Sequence, residues 1–212
     1  VGFSAKGALV YHRGMLEVTA FVLAGGRSSR MGTDKAFVEF QGRTLLERAL
    51  ALVTAITEKV YVLGSRARFG AFGAVVEDEF PDHGPLSGIH AGLRASSTDR
   101  NLVLAVDMPF VTDVFLRYML NEAEQSDALV TLPRAAGNWQ PLCAVYRRPF
   151  AKLAESALRA GRNRIDLLFR ETSVHIIEEP QIQRPGFDAE LFRNLNTREE
   201  LRAAEDGMHA RK

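Results

Sequence analysis

Short apolar runs and amphipathic helical stretches alternate along most of the chain, the pattern of strands linked through helices into a mainly parallel sheet. The first run, "TAFVLA" within residues 18 to 24, predicts a strand. "TLLERALALVTAITE" (44 to 58) predicts a helix, with Thr44 as its cap and Leu45, Leu46, Ala49, Leu52, Val53 and Ile56 as its apolar stripe. "KVYVLG" (59 to 64) and "AVVED" (74 to 78) read as short strands, and Gly84-Pro85 opens a helix through "LSGIHAGLRASS". "NLVLAVDMPF" (101 to 110) is a buried strand that stops at Asp107 and Pro109, and "TDVFLRYMLNEAEQ" (112 to 125) is a helix capped by Thr112 or Asp113.

The second half repeats the alternation less regularly. "DALVTLP" and "PLCAVYR" predict strands separated by the turn-rich "RAAGNWQ". Helical patterns follow over about 149 to 160 and 163 to 171, then a strand "SVHIIE". "EEPQIQRPGF" reads as a loop, and "TREELRAAED" as a final capped helix. The expected fold class is α/β, a single doubly wound, Rossmann-like, mainly parallel sheet. Residues 15–212 form the expected domain, with residues 1–14, ahead of Met15, as an upstream extension or expression remnant.

Composition narrows the function classes. With 212 residues the chain is long enough to bury a substantial core, and 46% hydrophobic against 25% charged residues is an ordinary globular balance. A net charge of +1 without a polybasic run argues against broad nucleic-acid or membrane binding, so any anion site is local. The single cysteine, Cys143, excludes an internal disulfide framework and a multi-cysteine zinc site. A reducing, cytoplasmic setting is expected, as no run approaches a spanning helix and no signal-peptide core is recognisable.

The densest chemistry lies in "LAGGRSSRMGTDK" (23 to 35), directly after the first strand. In open parallel sheets the first strand-to-helix loop commonly holds phosphates. Gly25, Gly26 and Gly32 let backbone N–H groups approach an anion, and Arg27, Arg30 and Lys35 add charge-assisted donors. Lys35 follows Asp34 and precedes Ala36, so the loop is not a G-x-x-x-x-G-K-[ST] P-loop. Its glycine spacing is not that of the dinucleotide fingerprint either. Asp107, ending a strand of pure hydrophobes, is either a turn residue or a ligand for Mg²⁺, which takes one or two carboxylates together with phosphate oxygens. His83 and His90 lack metal-site spacing and read as surface or partly packed residues. Cys143 reads as core, and Trp139 as packing on its own domain.

"LAGGRSSRMGTDK" resembles the L-A-G-G-x-x-x-R-M-G-x-D-K signature of nucleotidyltransferases related to sugar-phosphate pyrophosphorylases, and within them the MobA-like molybdenum cofactor guanylyltransferases. "EFQGRTLLERAL", "EDEFPDHGPLSGIHAGL", "AVDMPFV", "QPLCAVYRR", "RNRIDLLF" and "NLNTREEL" match in the same order across residues 18 to 202. The resemblance implies the nucleotide-diphospho-sugar transferase fold and transfer of GMP from GTP to molybdopterin or molybdenum cofactor, with Mg²⁺ as cofactor. It also implies passing contact with proteins that supply the cofactor or mature molybdoenzymes. By the same resemblance Arg30, Lys35 and Asp107 are catalytic. Leu23, Ala24, Gly25, Gly26, Lys35, Asp78, Gly84, Pro85, Leu86 and Asp107 contact the nucleotide, Asp107 and Asn196 hold the metal, and Asn138, Gln140, Pro141, Arg162 and Arg164 meet the acceptor.

One departure stands out. The family's asparagine after the second strand has no counterpart, since Leu63 and Gly64 stand there with Ser65 next. Two other functions fit the same residues: a cytidylyltransferase, or a transferase for another small phosphorylated acceptor, and a nucleotide-binding cofactor chaperone without turnover. Relatives acting on cytidylyl groups carry Ala-Ala-Gly where this chain has Ala24-Gly25-Gly26, and a binder has no need of both Lys35 and Asp107.

Overall fold

The computed structural model describes residues 2–3, 9–10, 17–24, 34–195 and 197–209. Gly25, Gly26, Arg27, Arg30 and Asn196 lie outside the described residues, as does most of the expected extension, in which Gly2–Phe3 and Leu9–Val10 pair antiparallel.

In chain order the main sheet comprises β1 (Thr19–Leu23), β2 (Val60–Leu63), β3 (Val75–Val76), β4 (Arg100–Ala105), β5 (Val130–Ala135), β6 (Asn138–Trp139), β7 (Cys143–Arg147) and β8 (Val174–Ile177). The helices are α1 (Leu45–Thr54), α2 (Arg66–Phe69), α3 (Pro85–Ala95), α4 (Asp113–Glu124), α5 (Phe150–Arg159), α6 (Ile165–Leu168), α7 (Glu179–Gln183) and α8 (Arg198–His209). Strand order is β6-β5-β7-β4-β1-β2-β3, with β8 alongside β5. The β3-β2-β1-β4 run is parallel, β8 is parallel to β5, and β7 is antiparallel to both β4 and β5. The sheet is thus mixed but mainly parallel, and its strand order reverses between β1 and β4, where such sheets open a ligand crevice.

Strand alternation divides the core. Ala20 and Val22 of β1 join Leu102, Leu104 and the α1 and α4 residues Leu46, Val53, Phe115 and Met119 on one face. Phe21 and Leu23 join Val103, Tyr146 and the α3 and α5 residues Leu86, Ile89, Phe150 and Leu158 on the other. Each buried Val, Leu, Ile, Phe or Met among them contributes about 1.5–3 kcal/mol. Helix α3 comes unusually close to β1, because a Cβ at Gly88 would lie 2.8 Å from Leu23 Cδ1 and one at Gly92 3.1 Å from Phe21 Cδ1.

The long helices begin where the sequence predicts. Thr44 Oγ1 accepts from the Glu47 N–H while Glu47 accepts from the Thr44 N–H, a capping box that stabilises the start of α1. Thr112 caps α4 through the Phe115 N–H, and Thr197 and Glu200 form the reciprocal pair at α8. Four expectations need correction. The helix expected over 44 to 58 stops at Thr54, although Ile56 still packs in the core. That over 163 to 171 shrinks to α6. The "EEPQIQRPGF" loop contains α7, since Pro180 sits in the first turn, where its missing N–H costs nothing, and Glu178 and Gln181 close a capping box. His90 is neither surface nor partly packed but 1% exposed.

Candidate active site

The site opens at the carboxyl ends of β1 and β4. Leu23 and Ala24 end β1 in a buried setting, where the Ala24 N–H donates to Leu63 O and the Val106 N–H donates to Leu23 O. Beyond the undescribed loop, Lys35 starts a single 3₁₀ turn, Lys35–Phe37, capped by the Asp34 carboxylate through the Ala36 N–H. Asp34 is ion-paired with Arg68 of α2, and the Phe37 ring packs on Phe69 and Phe72. This short turn is therefore held on three sides, and it presents Lys35 to the end of β4.

There the Lys35 ammonium donates to Asp107 Oδ2 at 3.1 Å, both side chains mostly covered at 24% and 19% exposure. Residues 72 positions apart meet where the strand order reverses. The C-terminal segment joins them, because the Leu195 N–H donates to the Asp107 carbonyl at 3.0 Å. Asn194, its neighbour, has a buried Oδ1 without a hydrogen-bond partner among the described residues. The sequence singles out Asn196 and offers no signal for Asn194.

The nucleotide candidates after β3 lie along the same edge. Asp78 is exposed, and Gly84 takes a left-handed φ of +68° that turns the chain into α3, with Pro85 in the first turn and Leu86 fully buried. Ser87 Oγ, in the same turn, is buried and also without a partner among the described residues. The acceptor candidates border Asp107 on the other side. The Ala105 N–H donates to Leu142 O, and Tyr146 Oη donates to Pro141 O, which fixes Gln140 and Pro141 beside the end of β4. Asn138 is exposed in β6. Trp139 packs edge-on against Phe169 at 5.4 Å, and that contact brings the β6 hairpin to the segment that follows α6.

Arg162 and Arg164 have their charges already matched, Arg162 to Glu171 and Arg164 to Asp166. Arg164 is 68% exposed, so solvent screens its pair, whose hydrogen bonds nevertheless hold the Asp166 carboxyl below the usual range. Cys143 is buried, its thiol pushed up to about 12, and is a core residue as expected. His83 is half-buried and hydrogen-bonded to Pro81 O. His90 lies under the loop that carries Asp78, edge-on to Phe80 at 5.4 Å, and burial holds its imidazole below the ordinary value. No cluster of three metal-ligating His, Cys, Asp or Glu side chains occurs among the described residues.

The structure thus brings a lysine from beyond the first loop against an aspartate at the end of the strand across the switch point. A model of the MobA-like NTP transferase domain matches residues 20–174. The chain is 36% identical over 187 residues to a molybdenum cofactor guanylyltransferase of Syntrophotalea carbinolica, covering 86% of this chain and 88% of that one. It is 31% identical over 196 residues to the molybdenum cofactor guanylyltransferase of Desulfosudis oleivorans, covering 91% and 96%. Among solved structures, molybdopterin-guanine dinucleotide biosynthesis protein A of Archaeoglobus fulgidus has the same fold, with a TM-score of 0.80 at 24% identity over 91% of this chain and 99% of that one. The 2-C-methyl-D-erythritol 4-phosphate cytidylyltransferase of Thermus thermophilus shares the fold too, at a TM-score of 0.66 and 21% identity over 92% and 100%. With the family match spanning most of the sheet and full-length relatives above 30% identity, the chain belongs to the MobA-like NTP transferases.

Proposed function

We propose that the chain moves GMP from GTP to the terminal phosphate of molybdopterin and releases pyrophosphate. An oxygen of the acceptor phosphate attacks the α-phosphorus, a new P–O–P bond forms, and the bond to the β-phosphate oxygen breaks. The nucleophile needs no general base, since a phosphate monoester with a second pKa near ~6 is largely a dianion at neutral pH. That agrees with a site of lysine, aspartate and backbone donors, in which the nearest fully buried histidine, His90, sits beneath a loop. The work left to the protein is alignment and charge neutralisation. Lys35 steadies the leaving pyrophosphate together with Arg30, and Asp78 with the Gly84, Pro85 and Leu86 turn holds the base. Asn138, Gln140 and Pro141, with Arg162 and Arg164 once exchanged from their acidic partners, hold the acceptor.

Mg²⁺ belongs to this reading. The Asp107 carboxylate would hold the ion, and Asn194 Oδ1, which has no partner among the described residues and lies on the segment pinned to the Asp107 carbonyl, would add a second oxygen of the kind a hard cation takes, with Asn196 as a further candidate. The ion supplies positive charge against the triphosphate. Asp107 also keeps Lys35 in register, and the Lys35 to Asp107 contact is the observation that supports the reading most directly.

The test is to incubate the protein with Mg²⁺ and each nucleoside triphosphate in turn, with and without molybdopterin, and to assay pyrophosphate. GTP with molybdopterin should give the fastest release. Faster release with CTP would move the chain to the cytidylyl reading, and none with any nucleotide would make it a binding protein.

A further inference from the structure

On the face of the sheet that carries α1 and α4, helix α1 packs mainly on β1 and β2 and α4 mainly on β5, β7 and β8, leaving a gap between the two helices at the end of β4. The gap is a cleft of about 390 Å³, the size of a small-molecule site. Its floor is Leu104, Val106 and Met108, and one wall is the α1 stripe of Leu45, Ala49 and Leu52. These residues are apolar and mostly buried, so an apolar ring or chain would lose water contact against them.

The polar equipment of the cleft is uneven. Arg43, at the end of the hairpin Glu39–Phe40/Arg43–Thr44, and Arg48 of α1 line it from one side, with Gln41 between the hairpin strands. The Arg48 guanidinium stands over the Phe40 ring at 5.0 Å, and its Nε is buried with no hydrogen-bond partner among the described residues. No ion pair to Arg43 or Arg48 occurs among the described residues either. Burial, and then the like charge of Arg43, hold Arg48 below its ordinary pKa, and the exposed Glu47 carboxylate, drawn to Arg43, balances the pair only in part. The one carboxylate in the lining, Asp113, belongs to α4 on the opposite wall. Residues 1–16 of this chain carry Lys6 and Arg13 and no acid, so their charge is wrong for filling the cleft.

We propose that this cleft binds a small organic anion, with a phosphate or carboxylate head on Arg43 and Arg48 and an apolar or aromatic body over Leu104, Val106 and Met108. Two forked guanidiniums suit either head group, and the Phe40 face holds one of them in place. The site is separate from the nucleotide site but backs onto it. Val106 and Met108 line the cleft, whereas Asp107 between them pairs with Lys35, and neither member of that pair is in the lining.

Calorimetric titration of the full chain, held saturated with GTP, tests this with phenyl phosphate, benzoate, benzyl alcohol and inorganic phosphate as probes. Phenyl phosphate or benzoate should bind, and the tighter of the two identifies the head group. Benzyl alcohol and inorganic phosphate should each be at least about tenfold weaker, lacking one half of the recognition. Arg48→Met should weaken the anion by about tenfold or more, and Arg43→Gln by a smaller factor, with GTP affinity and melting temperature unchanged in both. If Arg48→Met melts early, Arg43→Gln alone carries the comparison. Binding seen only when GTP is left out, equal affinity in the arginine variants and the wild type, or no binding up to about 10 mM would each overturn the proposal.

Discussion

The two ends of the central sheet are built on opposite principles. At the amino ends of its parallel strands, Thr19, Ser96, Thr98 and Asn101 form a buried polar network in which each side chain is used. Thr19 Oγ1 and Thr98 Oγ1 lie 2.8 Å apart, Ser96 bonds both, and the Asn101 amide donates to the carbonyls of Thr98, Asp99 and Tyr146. Thr57 Oγ1 donates to Val18 O, and Arg147 pairs with Asp99 at 2.8 Å. At the carboxyl ends, Asn194 Oδ1, Ser87 Oγ, both His90 ring nitrogens and Arg48 Nε are buried with no hydrogen-bond partner among the described residues. A buried polar group without a partner costs roughly 1–3 kcal/mol, so one end of the sheet contributes stability and the other forgoes it. Sites that bind and react are where such a forfeit is repaid, by a ligand that completes the bonds.

This contrast can be broken from either end. The largest effect is expected at the upper end, where Asp107→Ala should lower turnover by at least about a hundredfold while the far-ultraviolet circular dichroism and melting temperature stay near wild type. Near-normal turnover would remove Asp107 from the reaction. At the lower end, Asn101→Ala removes the amide that ties together the carbonyls of Thr98, Asp99 and Tyr146 and should cost about 2–3 kcal/mol, lowering the melting temperature by roughly 5–10 °C. Turnover well below the melting point should not change. A variant that melts normally but reacts slowly would erase the distinction between the ends.

Lys35→Ala comes next, with GTP binding and turnover each reduced about tenfold. An unchanged GTP dissociation constant would count against its phosphate role. The smallest effect concerns His90, whose imidazole is held below its ordinary value first by burial, with Glu79 and Glu155 pulling it up and Arg94 and Arg159 pressing it down. The folded chain takes this proton less readily than the unfolded one. His90 therefore costs nothing above the unfolded value of 6.5 and lowers stability progressively as pH falls below it. His90→Leu should flatten the decline of melting temperature between about pH 7 and pH 5. A slope equal to the wild type's would assign the acid sensitivity to other groups.

Much of the stable end and half of the reactive end are legible in the sequence. Thr44, Thr112 and Thr197 mark their helix starts because a capping hydroxyl acts locally, within the next turn. Lys35 and Asp107 are legible because strand alternation places both at the one switch point of the sheet. Features set by long-range packing are not. Asn194 carries no signal in the sequence until the Leu195 N–H ties its segment to the Asp107 carbonyl. His90 reads as surface or partly packed until Phe80 and α5 close over it, and Arg48 draws no notice until the gap above β4 appears. The α7 helix is hidden by its own proline, which as a breaker and as a first-turn residue looks the same in one dimension. Arg162 and Arg164 show the opposite limit, since the sequence offers their charge and the fold spends it on Glu171 and Asp166.

The most direct measurement follows label from the α-phosphate of GTP onto molybdopterin, in the wild type and in Asp107→Ala, with pyrophosphate counted in the same reactions. The wild type should transfer the label into a guanine dinucleotide with one pyrophosphate released per label, and the variant should transfer almost none. Pyrophosphate release without label on molybdopterin, or undiminished transfer by Asp107→Ala, would contradict the account.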